Sequence, residues 1–105
     1  MTTLDGDRLV RVFSALSNPH RVRILAALSG GRIHVSRLAR EVKLSRPLTH
    51  MHLQRLEAAG LVTGHLELSE EGKAMKFFEV TPFDLHLTPA AIAAAATSLT
   101  PEEDR

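Results

Sequence analysis

The segment from Leu44 to Val62, LSRPLTHMHLQRLEAAGLV, carries its own start and stop signals for a helix. Ser45 has a hydroxyl that can cap the first free N–H groups, and Pro47 falls in the first turn, where its missing N–H costs nothing. Gly60 supplies the left-handed residue that ends a helix. Between these signals Thr49, Leu53 and Leu56 recur at helical spacing and predict a core-facing stripe, which leaves Arg46, His50, Met51 and Gln54 on the opposite face. A helix with a cationic, polar exposed face can lie in a DNA groove and reach base edges and phosphates.

The formal net charge of +1 over 105 residues conceals a strong segregation. From His20 to Leu56 eight cationic residues (Arg21, Arg23, Arg32, Arg37, Arg40, Lys43, Arg46 and Arg55) oppose Glu41 alone, a net of +7. From Glu57 onward nine acids outnumber three bases, a net of −6. The basic middle coincides with the capped helix, as a phosphate-binding face requires; a solvated arginine-rich surface is the alternative. A chain this short forms one domain with a small stability margin, which dimerisation would enlarge. The absence of cysteine excludes disulfides, thiolate zinc fingers and cysteine catalysis. No apolar run approaches the roughly 20 residues that span a bilayer, and Met1-Thr2-Thr3-Leu4-Asp5 lacks the pattern of a signal peptide, so the expectation is a cytoplasmic protein with no membrane partner.

Periodicity places the other elements. Leu9, Val12, Phe13 and Leu16 predict a first helix from about Asp7 to Ser17, and Val22, Ile24, Leu25 and Leu28 a second, starting at Asn18 or Pro19 and stopping at Ser29-Gly30-Gly31. Arg32-Ile33-His34 can pair as a short strand. Ser36 is placed to cap a third helix through Leu38, Ala39 and Val42, and Lys43-Leu44-Ser45 then forms the turn of a helix-turn-helix. After Gly60 the period changes: Leu61 to Leu68 and Ala74 to Val80 read as strands joined by Ser69-Glu70-Glu71-Gly72-Lys73, a hairpin or wing that Thr81-Pro82 ends. Thr88-Pro89 opens a last helix running to about Leu99. Its alanines leave it no polar face, which suggests burial against a second subunit or, alternatively, a marginal helix held by alanine propensity. The fold class is therefore mainly α with a small β-hairpin: a single winged helix-turn-helix domain over 1–99, dimerised through its first and last helices, with a disordered tail over 100–105. The interface residues expected are Leu9, Val12, Phe13, Ile92, Ala95, Ala96 and Leu99.

Two segments, Ala15 to Leu25 (ALSNPHRVRIL) and Leu44 to Val62 with its His52-Leu53 and Glu57-Ala58-Ala59-Gly60-Leu61-Val62, resemble the second-helix signature and the recognition helix of the ArsR family of winged-helix transcriptional regulators. MarR-type and other winged-helix regulators are the neighbouring patterns. The resemblance implies a homodimer on a palindromic operator, often responsive to a metal or another signal. The chain departs from the family's metal motifs. Where many members carry Cys-x-Cys, this chain has Ile33-His34-Val35-Ser36-Arg37-Leu38, and of an Asp-x-His and His-x-x-Glu site on the last helix only Asp84-Leu85-His86 is present, the second pair falling on Thr97 and Thr100. His50 and His52 are two apart on one helix and do not face each other. His34, His65 and His86, with Asp5 or Asp7 of a second subunit, are the remaining ligand candidates, for which nickel, zinc or cobalt would be the ion.

These observations predict a regulator of transcription, most simply a repressor, that recognises double-stranded DNA without catalysis. Arg46 is placed to contact guanine or phosphate, and Gln54 adenine or phosphate. His50, Leu48 and Met51 complete the reading face, with Ser45 and Arg55 at its ends. Arg37, Arg40 and Lys43, and on the wing Lys73 and Lys76, are candidates for phosphate contacts, while Glu70 and Glu71 oppose DNA at the wing tip. A second reading keeps the winged fold but makes it a protein-interaction module paired with a separate sensor protein. No nucleophile–histidine–acid arrangement, phosphate-binding glycine loop or paired carboxylates point to an enzyme.

Overall fold

The computed structural model describes residues 5–101; Met1 to Leu4 and the end of the expected tail, Glu102 to Arg105, lie outside the described residues. Helix starts are set by short polar side chains. The Asp5 carboxylate accepts the Arg8 N–H at 2.8 Å and opens α1 (Gly6–Leu16). Asn18 accepts from His20 at 2.9 Å and Arg21 at 3.3 Å, with Pro19 first in α2 (Pro19–Leu28). β1 (Ile33–His34) runs directly into α3 (Val35–Val42). Ser45 accepts the Leu48 N–H at 3.2 Å and opens α4 (Arg46–Ala58). The hairpin is β2 (Val62–Leu68) and β3 (Ala74–Val80), and Thr88 caps α5 (Pro89–Ala96) by accepting from Ala91 at 3.0 Å.

Three expectations require correction. Ser36 does not cap α3: His34 occupies the cap position without a side-chain bond. His34 is still held as a strand residue opposite Phe77 and the helix follows it directly, two residues earlier than a Ser36 cap would set it, anchored by buried Val35, Leu38 and Ala39 instead. α5 stops at Ala96 rather than Leu99, because Thr97 and Ser98 turn their hydroxyls back onto the carbonyls of Ala94 and Ala95, and the last N–H groups bond three residues back. Val22 is half exposed, since it lies across the helix from buried Ile24.

The sheet is antiparallel in the order β1-β3-β2, with Ile33 opposite Phe78 and Gly64 opposite Phe78 from the other side. Phe78 therefore occupies the middle of the inner face, where it joins Val12, Ile24, Leu28, Leu38, Leu53, Leu56 and Leu61 in one core. Beyond Gly64 the same face of β2 leaves the core, and Leu66 and Leu68 are 69% and 75% exposed. Among the described residues no helix is long and apolar enough to cross a membrane.

The ends of the chain are packed together. A Cβ on Gly6 would meet the Ala95 carbonyl oxygen at 2.4 Å and the Leu99 side chain at 2.7 Å, so α1 and α5 touch where only glycine fits. The Gly6 N–H donates to Ser98 Oγ at 2.8 Å, and the Thr100 N–H and hydroxyl both donate to the Asp7 carboxylate. Leu9, Val12 and Ala95, expected at a subunit interface, are instead covered within the chain; Val12 belongs to the central core.

Between α2 and α4 the packing is partly polar. His52 is buried, 5.5 Å ring to ring from His20, and its Nδ1 and the Arg21 Nε are enclosed without a hydrogen-bond partner among the described residues. Burial, and then the neighbouring charges of Arg21, His20 and Arg55, hold its imidazole below the ordinary value.

Two outcomes follow for stability. In a free helix Gly→Ala stabilises by up to about 1 kcal/mol, but Gly6→Ala destabilises by about 1–3 kcal/mol because the methyl is overpacked against backbone; urea unfolding gives the sign. For His52, the unfolded chain binds the proton near pH 6.5 and the folded chain only at lower pH. Its contribution is therefore complete above about pH 6.5 and is lost as the pH falls below it, with a slope of at most about 1.4 kcal/mol per pH unit. Unfolding free energies measured from pH 8 to 5 show this slope in the parent chain and a shallower one in His52→Leu.

Candidate nucleic-acid interface

The turn between α3 and α4 is made by backbone bonds. Lys43 takes a left-handed conformation, φ 59°, and the N–H groups of Lys43 and Leu44 close onto the carbonyls of Arg40 at 3.3 Å and Ala39 at 3.0 Å. α4 ends the same way: Gly60, φ 77°, and Leu61 donate to Glu57 and Leu56, both at 2.9 Å. The two helices are thus held at a fixed angle while their inner residues enter the core.

Thr49, His52, Leu53 and Leu56 form the buried side of α4, and the Thr49 hydroxyl donates to the Ser45 carbonyl at 2.8 Å. Ser45, Arg46, Leu48, His50, Met51, Gln54 and Arg55 are all exposed. Arg37, Arg40 and Lys43 are exposed on α3 and the turn that precede α4. Arg37 pairs with Glu41 at 3.0 Å; an exposed pair of this kind is weak and is readily exchanged for a phosphate.

The wing lies beside this surface. Its turn closes through Ser69, whose N–H donates to the Lys73 carbonyl at 2.8 Å and whose hydroxyl accepts the Lys73 N–H at 3.1 Å. Glu70, Glu71 and Lys73 are exposed at the tip, and an open groove of about 600 Å³ separates them from His34, Ser36 and Arg46. Lys76 is half-buried, with its ammonium 5.6 Å from the centre of the Phe78 ring; the His50 ring meets that ring edge-on at 6.3 Å.

The structure also shows a charged outer sheet face that the pattern of alternation alone did not single out. Arg32 lies over Phe77 at 4.8 Å and pairs with Glu67, His34 meets Phe77 at 5.5 Å, and His65 Nε2 is 2.7 Å from Glu79. The signal was the register: once Thr63 is opposite Glu79, the carboxylate is diagonal to His65. The histidines considered as ligands are dispersed, with His34 and His65 on this face and His86 exposed, beside Asp84, in the segment before α5. Thr97 ends α5 and Thr100 bonds to Asp7. Among the described residues no group of three or more histidine, aspartate or glutamate side chains is close enough to hold a metal ion.

Comparison with known proteins agrees with this geometry. The family model described as "Bacterial regulatory protein, arsR family" matches residues 18–63, from the cap of α2 through the start of β2. An uncharacterized HTH-type transcriptional regulator of Methanocaldococcus jannaschii is 38% identical over 79 residues, covering 75% of this chain and 82% of that protein. Among solved structures, the homodimeric winged helix-turn-helix DNA-binding domain of a possible ArsR-family regulator from Mycobacterium bovis superposes with a TM-score of 0.64 at 24% identity, over 87% of this chain and 74% of that one. NolR from Sinorhizobium fredii gives 0.63 at 21% identity over 92% of each chain. HlyU from Vibrio cholerae gives 0.63 at 22% identity over 87% of each. These likenesses in fold, together with the matched sequence, show that the chain belongs to the ArsR family of winged helix-turn-helix, DNA-binding transcriptional regulators.

Proposed function

We propose that the chain acts as a homodimer on a palindromic operator and represses transcription by occupying it. The observation that carries this reading is the capped helix α4, which buries Thr49, His52, Leu53 and Leu56 and leaves Arg46, His50, Met51 and Gln54 free to enter a major groove. Arg46, at the N-terminal end of α4, makes the principal base contact. Gln54 and His50 read neighbouring positions, and Arg37, Arg40 and Lys43 hold phosphates.

The pairing surface is formed by α1 and α5. Val10, Phe13, Ile92 and Leu99 are 43%, 38%, 47% and 39% exposed, apolar side chains that a second copy would cover in a two-fold dimer. Leu9, Val12 and Ala95 support it from within, and Ala96 lies at its edge. A two-fold dimer presents two copies of α4 to half-sites about one helical turn, ~34 Å, apart. The Mycobacterium bovis relative is a homodimer, in keeping with this arrangement.

The test is fluorescence anisotropy on a duplex from upstream of the protein's own gene against a scrambled duplex, at about 150 mM salt because phosphate contacts dominate at lower ionic strength. Specific binding is the expected result, and equal weak binding to both duplexes overturns the operator. Repeating the titration with nickel, zinc or cobalt shows whether a metal is the effector. Arg46→Ala weakens specific binding by about 1–3 kcal/mol; equal loss on the scrambled duplex would reassign Arg46 to the backbone. Phe13→Glu combined with Ile92→Glu shifts the sedimentation of the protein to that of a monomer and abolishes operator binding, whereas an unchanged dimer would place the interface elsewhere.

A further inference from the structure

We propose that the wing meets the DNA backbone through Lys76 at its base rather than through its tip, and that Gly64 and Phe78 are the positioning residues that bring the Lys76 ammonium to the flank of α4. The proposal rests on the DNA-binding reading above and adds to it the wing residue and the device that places it.

Lys76 and Phe78 alternate onto the same face of β3, opposite Leu66 and Gly64 of β2. A glycine inside a strand weakens it and marks a close approach of other atoms. Here the approach is visible: a Cβ on Gly64 would lie 2.8 Å from Lys76 Cε and 2.8 Å from Phe78 Cε1. Both side chains cross the bare backbone of Gly64, so the lysine stem is folded along the sheet instead of extending from it. Its ammonium stops 5.6 Å from the Phe78 ring centre, within reach of a cation–π attraction. The edge of the His50 ring, on the exposed side of α4, meets that same ring at 6.3 Å. One phenyl ring thus contacts both a wing cation and a side chain of α4, with the lysine stem packed on apolar surface.

The charge held there is available. The ion pairs among the described residues are Arg32 with Glu67, Arg37 with Glu41 and His65 with Glu79, and none uses Lys76. The tip is unsuited to the same task. Glu70 and Glu71 are exposed beside Lys73 and leave the turn net negative, and Leu66 and Leu68, the outer residues of this face on β2, have no group that binds phosphate. A lysine fixed before DNA arrives loses less side-chain freedom on binding than an extended one.

The test is the salt dependence of binding to a random-sequence duplex, which counts phosphate contacts independently of any operator. Log K is plotted against log salt between about 50 and 200 mM. Lys76→Gln lowers the slope by about 0.9, one phosphate contact, and Lys73→Gln by less than half of that. Gly64→Ala produces the Lys76→Gln loss although Lys76 is intact, and the double variant loses no more than either single one, with folding followed by circular dichroism. Should Gly64→Ala fail to fold, Phe78→Leu, which keeps apolar volume and removes the ring, carries that arm and lowers the slope likewise. A parental slope in Lys76→Gln, or a larger loss in Lys73→Gln, overturns the proposal; a parental slope in folded Gly64→Ala or Phe78→Leu overturns the positioning role. If the parent chain binds neither this duplex nor that from upstream of its own gene, the DNA-binding reading fails and the proposal with it. Parental binding with an unaffected Lys76→Gln sinks the proposal alone.

Discussion

The burial of one side of α4 is the interaction on which the rest of the structure depends. Leu53 and Leu56 are fully enclosed, and they meet Ile24 and Leu28 of α2, Leu38 of α3 and Phe78 of the sheet in a single core. A domain of this size is stable by about 5–15 kcal/mol, and each buried leucine removed to alanine costs about 2–5 kcal/mol. The core therefore has little redundancy. Because α4 belongs to it, the rotation of α4 about its own axis is fixed by packing, and with it the set of side chains left on its exposed face. The exposed face is a by-product of which residues the core takes: Arg46, His50, Met51 and Gln54 are outside because Thr49, Leu53 and Leu56 are inside.

His52 is the cost of this economy. It lies on the packed side of α4 near His20, Arg21 and Arg55, in surroundings that disfavour the charged imidazole. A leucine there would pack without that constraint, and among the described residues no hydrogen bond replaces the hydration that His52 Nδ1 loses on burial. The junction of α2 and α4 is thus less stable in acid than the aliphatic core beside it, and the acid sensitivity is located at the helix that reads DNA.

Local chemistry was legible in the sequence wherever a single side chain decides the outcome. Asn18, Ser45 and Thr88 open helices because each has an oxygen placed to accept a nearby N–H, and Gly60 ends α4 because its φ is positive. Period alone gave Thr49, Leu53 and Leu56 as the inner face of α4 and its exposed face, but not the burial of His52 between them. What was not legible depends on neighbours distant in sequence. Ser36 has the chemistry of a cap, but β1 ends at His34, paired with Phe77, and the helix begins at Val35, which leaves Ser36 inside its first turn. Val12 and Ala95 read as interface residues, yet the close contact of α1 with α5 at Gly6 covers the second and the core takes the first. Gly64 carries no signal in composition; its meaning appears only when the register sets it opposite Phe78 and beside Lys76.

The last helix connects stability to regulation. Seven of the eight residues of α5 are exposed, and apart from Pro89 and Ile92 the helix is alanine. So short a helix is marginal in isolation, whatever its alanine content. It is held by the Thr88 cap, the Gly6 contact and the bonds from Ser98 and Thr100 to the start of α1, all at its ends. Covering its apolar side with a second copy, as proposed above, would add stability that the single chain lacks, rising with protein concentration by mass action. In the dimer proposed above, folding of the last helix, pairing of the subunits and occupancy of two half-sites would be one linked equilibrium, so that a change at the α1–α5 contact would alter DNA binding without touching α4.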